Sequence, residues 1–134
     1  MTTRRILLGT ASLFVTELLR AQRGGSANAD VIFQRQLPDI SLKDWAVTAV
    51  EVSYKPGESS AAHRHPGITI AYVLEGEIRS KVGDEPEKTY TAGQMFLEAP
   101  GELHAVSGNA SSVKRARLLA ILLAKKGDQL TTPA

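Results

Sequence analysis

The chain has 134 residues, room for one domain of about 100 to 150 residues with its own core and too little for two. With 43% apolar and 22% charged residues it has the make-up of an ordinary soluble globular protein, which excludes a disordered or fibrous chain. There are 16 basic and 14 acidic residues and no cysteine, so disulfide staples and thiolate metal sites are excluded, and imidazole and carboxylate are the strong ligands at hand.

The first 29 residues read as a targeting segment and not as part of a fold. Thr3-Arg4-Arg5 is followed by the apolar stretch Ile6 to Val15, then by a polar segment holding Arg23-Gly24-Gly25-Ser26, and then by Ala27-Asn28-Ala29. A positive start, a short apolar middle and small residues at a cut site are the order of a secretory signal peptide. The paired arginines before Ile6-Leu7-Leu8 resemble the twin-arginine export signal of bacteria, which a receptor reads and which is not an anchor. Cleavage after Ala29 and a periplasmic or secreted mature domain, residues 30–134, are expected. The alternative is an amphipathic N-terminal helix that stays on. A spanning helix needs about 20 apolar residues, and Glu17 interrupts the run well before that, so no stable membrane anchor is expected. Arg4, Arg5, Arg20 and Arg23 stand against Glu17 alone in this segment, and 12 basic against 13 acidic residues remain beyond it. The mature domain thus has no positive field for nucleic acid. Lys114, Arg115 and Arg117 form the one basic run, read as a solvated loop entering a strand.

From Asp30 onward the pattern is β. Trp45 to Tyr54 is rich in β-branched and aromatic residues, and Val50, Val52 and Tyr54 fall on one face. Pro56-Gly57 breaks it. Further runs follow at Ile68 to Leu74, Glu77 to Val82, Lys88 to Tyr90, Met95 to Glu98, His104 to Ser107 and Arg117 to Ala124. The segments between them, among them Glu75-Gly76, Ala92-Gly93 and Pro100-Gly101, carry residues that set turns. Turns at such short spacing predict antiparallel sheets closed as a sandwich or jelly roll. Leu118 to Leu123 has the composition of a helix, but six apolar residues in a turn-rich context predict a strand buried on both faces.

All three histidines lie in two places, His63-Arg64-His65 and His104 behind Pro100-Gly101. On a strand, positions i and i+2 face the same side, so His63 and His65 can point together into a barrel. A third imidazole would complete a facial set of neutral nitrogen donors with open positions beside it. Residue chemistry alone leaves the alternative open that each is a surface histidine or a hydrogen-bonded core histidine.

Gly57, five residues, His63-Arg64-His65 and Gly76, and later Gly93, Pro100-Gly101, two residues and His104, together resemble the paired motifs of the cupin superfamily. The resemblance runs from about Val31 to the last strand and implies a single-domain, all-β cupin barrel, a double-sheet jelly roll. It also implies a divalent metal at His63, His65 and His104. In cupins the first motif carries a glutamate ligand, which here falls on Thr69; the second motif has Pro100 directly before Gly101 where one residue usually intervenes. Three-histidine cupins exist among small dioxygenase-like members, so the resemblance allows iron, manganese, nickel, copper or zinc. Thr69, a β-branched strand residue, is expected to pack, or at most to hold a water.

Glu98 stands just before the Pro-Gly turn. It can approach the metal, accept a proton, or support a ligating imidazole; strand parity through Ala99-Pro100 leaves an outward position open. Glu102 is read as turn, and Tyr72 as core or cavity wall. Two functions follow. One is a quercetinase-like dioxygenase in which a small carbonyl or enol substrate meets the metal and Glu98 removes a proton. The other is a non-catalytic cupin that binds a metal or small ligand. An enzyme requires an open pocket with an acid in reach, whereas a binder or relic can have its site filled by side chains. A homodimer is expected from the resemblance, with Val31-Ile32-Phe33 as an early strand that pairs sheet edges.

Overall fold

A computed structural model of the protein describes residues 27–134. The targeting segment read over 1–29 lies almost wholly outside the described residues. Val31, Ile32 and Phe33 form no strand, and the first strand begins at Trp45, so the expected early edge strand is corrected. No helix of the described residues is long and apolar enough to cross a membrane.

Ten strands follow one another: β1 (Trp45–Tyr54), β2 (Ser59–Ser60), β3 (His63–Arg64), β4 (Ile68–Glu75), β5 (Glu77–Val82), β6 (Lys88–Thr91), β7 (Met95–Glu98), β8 (Leu103–Asn109), β9 (Ala116–Lys125) and β10 (Thr132–Pro133). They form two antiparallel sheets, one in the order β1-β9-β4-β7, the other β10-β3-β8-β5-β6 with β2 also paired to β8. This is the expected all-β, double-sheet jelly roll. The run Leu118 to Leu123 is a strand, as its context demanded. Its burial alternates, with Leu118 and Leu122 buried and Leu119, Ile121 and Leu123 only half-buried. One face of the strand, and not both, therefore belongs to the core.

The inward faces of the two sheets meet in a cluster that includes Ala71, Val73, Ile78, Phe96 and Leu118. Val73 and Ile78 are fully buried, each contributing about 1.5–3 kcal/mol by leaving water. On the outside, Arg117 on β9 donates to Glu51 on β1 and to Glu75 at the end of β4, clipping three neighbouring strands together. Tyr72 pairs in register with Leu119 and Met95, on the face opposite Thr69 and Ala71. It is thus an outer-face residue, neither core nor cavity wall, a parity that its aromatic character concealed.

Two backbone features place the site. On β8, Lys81 pairs with Val106 while Val82 pairs with His104, so Ala105 is the extra residue of a bulge. His104 and Ser107, three apart, both turn inwards because of it. The Pro100-Gly101 turn places Gly101 at φ +74°, and its amide donates to the His65 carbonyl at 2.8 Å while the Arg64 guanidinium donates to the Gly101 carbonyl at 2.8 Å. The turn that leads into His104 is therefore tied to the segment that carries the other two histidines.

Candidate metal centre

His63 and His104 are direct partners across the β3–β8 ladder, with ring centroids 5.0 Å apart, and the His65 ring lies 4.9 Å from His63. Glu98 reaches the same point from β7, in the opposite sheet. One ligand atom from each of His63, His65, Glu98 and His104 lies within 4.8 Å of the others. The parity left open in the sequence is settled: Glu98 points inwards and is 3% exposed. Thr69, its direct partner on β4, is buried beside it. Glu102 accepts a hydrogen bond from the Ala99 amide at 3.0 Å, and so closes the turn as expected.

The hydrogen bonds behind the imidazoles decide which nitrogen faces the cluster. His63 Nδ1 lies 2.8 Å from the Ala61 carbonyl, and His65 Nδ1 lies 2.7 Å from the Leu130 carbonyl. A carbonyl only accepts, so both Nδ1 atoms carry the proton and both Nε2 atoms keep a lone pair. His104 is turned the other way, with Nε2 2.9 Å from the Ser80 hydroxyl and Nδ1 towards the cluster. Ser80 can accept from Nε2–H, which leaves the lone pair on Nδ1. Each ring is thus held by a partner behind it, the arrangement that orients metal-ligating histidines.

Inside the cluster the polar atoms are short of partners. Glu98 Oε1 approaches His104 Nδ1 at 3.1 Å without the alignment of a hydrogen bond, and Glu98 Oε2 stands 3.7 Å from His65 Nε2. Besides Trp45 Nε1, the buried side-chain polar atoms without a hydrogen-bond partner among the described residues are Thr69 Oγ1, Glu98 Oε2 and His104 Nδ1. Orphaned buried polar groups cost about 1–3 kcal/mol each, so three at one point mark a place built for something else. Burial, with the neighbouring His104 and His65 rings, pulls the His63 pKa below its ordinary value, against the Ala61 hydrogen bond and Glu98. His63 is therefore neutral at physiological pH, the form that ligates. Three imidazoles and one carboxylate fit a divalent transition metal such as iron, manganese, nickel, copper or zinc.

The cluster lines a cavity of about 600 Å³. Val50, Val52 and Tyr54 face it from β1, the one face that their alternation predicts. Ala71, Phe96 and Leu118 add apolar wall, and residues 129–133 close part of it. Tyr54 Oη sits 2.7 Å from Ser60 Oγ and 2.9 Å from Ser107 Oγ, and all three hydroxyl residues line the same cavity. Sequence reasoning missed this hydroxyl group, Ser80 and the Leu130 carbonyl. The Tyr54 to Val50 alternation was a usable signal for the first, while the other two depend on pairings between distant segments.

The model of the cupin domain family matches residues 50–122. Among solved structures, the chain is similar to the DMSP lyase DddQ from Ruegeria pomeroyi DSS-3, with 17% identity and a TM-score of 0.57 over 66% of this chain and 43% of that one. A cupin-like protein from Thermotoga maritima shares 19% identity and a TM-score of 0.56 over 78% of this chain and 89% of that one. A mutant of the oxalate decarboxylase OxdC from Bacillus subtilis gives 20% identity and a TM-score of 0.56 over 65% of this chain and 23% of that one. This chain spans less than half the length of the lyase and about a quarter of the decarboxylase, and identities this low speak for the fold alone. No curated protein sequence matches.

Proposed function

The chain belongs to the cupin family, and on that premise we propose that it is an exported, homodimeric metal-dependent enzyme. It acts on a small carbonyl or enol compound, as a dioxygenase of the quercetinase-like kind. The observation that carries this reading is the coincidence of four convergent donors, two of them buried and unpartnered, with an unfilled cavity of about 600 Å³. The same donors and cavity would serve the alternative, a non-catalytic cupin that binds a metal or small ligand, and turnover separates the two.

His63, His65 and His104 would hold the divalent ion, whose chemistry when bound is to polarise a carbonyl or enol oxygen and lower the cost of its deprotonation. The chain's own residues do the rest. Ala61, Leu130 and Ser80 fix the ring orientations. The Glu98 carboxylate would offset part of the ion's charge, and Oε2, which has no hydrogen-bond partner among the described residues, accepts the substrate proton. The apolar wall excludes water from the substrate and raises the worth of each charge beside it. The neighbours' names point to other reactions within the fold, decarboxylation of oxalate among them, and those stay with the neighbours.

The arginine-led, alanine-ended order of residues 1–29 supports a periplasmic or secreted location. Dimer formation is supported by β1, which among the described residues is an edge strand of ten residues with Val47 exposed, since a long edge invites a second copy. Dioxygen uptake by the metal-loaded full chain, supplied with benzoylacetone, tests the reaction. Uptake that Glu98→Gln cuts by about a hundredfold, within the usual range for a lost acid–base group, is the expected result. No uptake with any of the five metals contradicts the dioxygenase reading.

A further inference from the structure

The cavity walls carry more information than the metal ligands do. Among the described residues that line the cavity there is no lysine and no arginine. A carboxylate or phosphate entering would lose its water and find no cation other than an ion at the histidine cluster, and an unpaired buried charge is strongly disfavoured. The wall is mainly apolar; beyond the histidines and Glu98 its polar side chains are Thr69, Gln129, Thr131 and Thr132 and one hydrogen-bonded group of hydroxyls. Tyr54, Ser60 and Ser107 bring together three O–H donors, and two hydrogen bonds join them. Each bond uses one proton, so one of the three remains to be donated elsewhere. Ser107 stands three residues beyond His104 on β8, with one of the three in a bulge. That separates the hydroxyl group from the histidine cluster by roughly 7–10 Å along the strand.

We infer that the cavity is built for a neutral, mainly apolar ligand with a chelating oxygen pair at one end and an uncharged hydrogen-bond acceptor at the other, received by the Tyr54–Ser60–Ser107 hydroxyls. This deepens the function proposed above and rests on it for the chelating end alone. The wall without lysine or arginine among the described residues, and the spare donor, select the ligand whether or not an ion is held. Oxalate, a dianion, is a poor match to such a wall.

The experiment is calorimetric titration of the full chain with benzoylacetone, its para-methoxy derivative and its para-carboxylate derivative, in metal-loaded and metal-free protein. The para-methoxy compound is expected to bind about tenfold more tightly than the carboxylate, the scale of one unpaired charge in a partly screened site. It should bind about fivefold more tightly than benzoylacetone itself, the scale of one hydrogen bond. In a variant carrying Tyr54→Phe, Ser60→Ala and Ser107→Ala, which removes all three hydroxyls of this group together, the fivefold advantage should vanish. Should that variant fail to fold, Val50→Lys provides the second arm. Val50 lines the cavity and is 40% exposed, so a lysine there is tolerated, and it should raise carboxylate binding at least to parity with the para-methoxy compound. A carboxylate that binds wild-type protein as well as the para-methoxy compound overturns the inference, as does a fivefold advantage that survives the loss of the hydroxyls. Absence of metal in the protein would count against the proposed enzyme only, because both preferences are also read in the metal-free chain.

Discussion

Thr69 on β4 and Glu98 on β7 are directly opposed across one antiparallel ladder, both turned inwards and only 1% and 3% exposed. The position at which cupins carry their glutamate is thus held by a threonine, and the carboxylate comes from the strand next door. Opposed residues on adjacent strands have Cβ atoms about 4.5–5.5 Å apart, which lets either supply a carboxylate to nearly the same point.

That relationship makes a reciprocal experiment possible. Glu98→Ala is expected to lower the affinity for a divalent metal by about tenfold or more, the scale set by loss of even a supporting partner of a ligand. The double variant Thr69→Glu with Glu98→Ala should recover most of it, since the space freed on β7 receives the longer side chain on β4. Competition with a chromogenic chelator measures both affinities. A double variant no better than Glu98→Ala would show that the two positions are not equivalent.

Ser80 makes no contact with the cavity, yet its hydroxyl is the partner of His104 Nε2. Ser80→Ala is expected to weaken metal binding by about 10–100-fold, as removal of such supporting groups does, and to cost about 1–3 kcal/mol of stability because it leaves His104 Nε2 buried without its partner. The same chelator competition, run beside urea unfolding, separates the two effects.

Much of the fold was legible and the site was legible in part. Alternation over Val50, Val52 and Tyr54, and the glycine- and proline-bearing turns, marked strands whose bounds the structure matches closely, because strand parity and turn chemistry are local. Glu98 could not be oriented, because its direction depends on which strand pairs with β7, and that pairing joins segments some thirty residues apart. The inward turn of Ser107 escaped for a related reason. A bulge at Ala105 breaks the two-residue period on which the reading relied. Tyr72 was misplaced since an aromatic residue in a strand suits either face of a half-covered sheet. The bond from His65 to Leu130 spans 65 residues and has no local signature.

Gly67 follows the histidine segment with no room for a side chain. A Cβ there would lie 1.8 Å from the Leu123 carbonyl oxygen on β9. Gly67→Ala is expected to destabilise the fold by about 3 kcal/mol, the upper end of the usual range for overpacking. Urea unfolding checks the cost. A loss under half of that would mean that β9 yields easily at this point.

Acidity should act through His63, whose pKa is held down chiefly by burial. Above pH about 6.5 the ring is neutral in both folded and unfolded chains. As pH falls below that value the unfolded chain takes up the proton first, so stability declines until the folded-state pKa is reached. Urea midpoints of the chelator-treated protein should therefore drop below pH about 6.5, and His63→Gln should flatten that part of the profile. An unchanged slope in the variant would remove His63 as the cause.

Elemental analysis of the purified full chain tests most directly whether His63, His65 and His104, with Glu98 beside them, form a metal centre. Near-stoichiometric divalent transition metal, lost in a folded variant carrying His63→Ala and His104→Ala, is the expected result. Wild-type protein that stays folded but takes up no metal after repletion with iron, manganese, nickel, copper or zinc would contradict it.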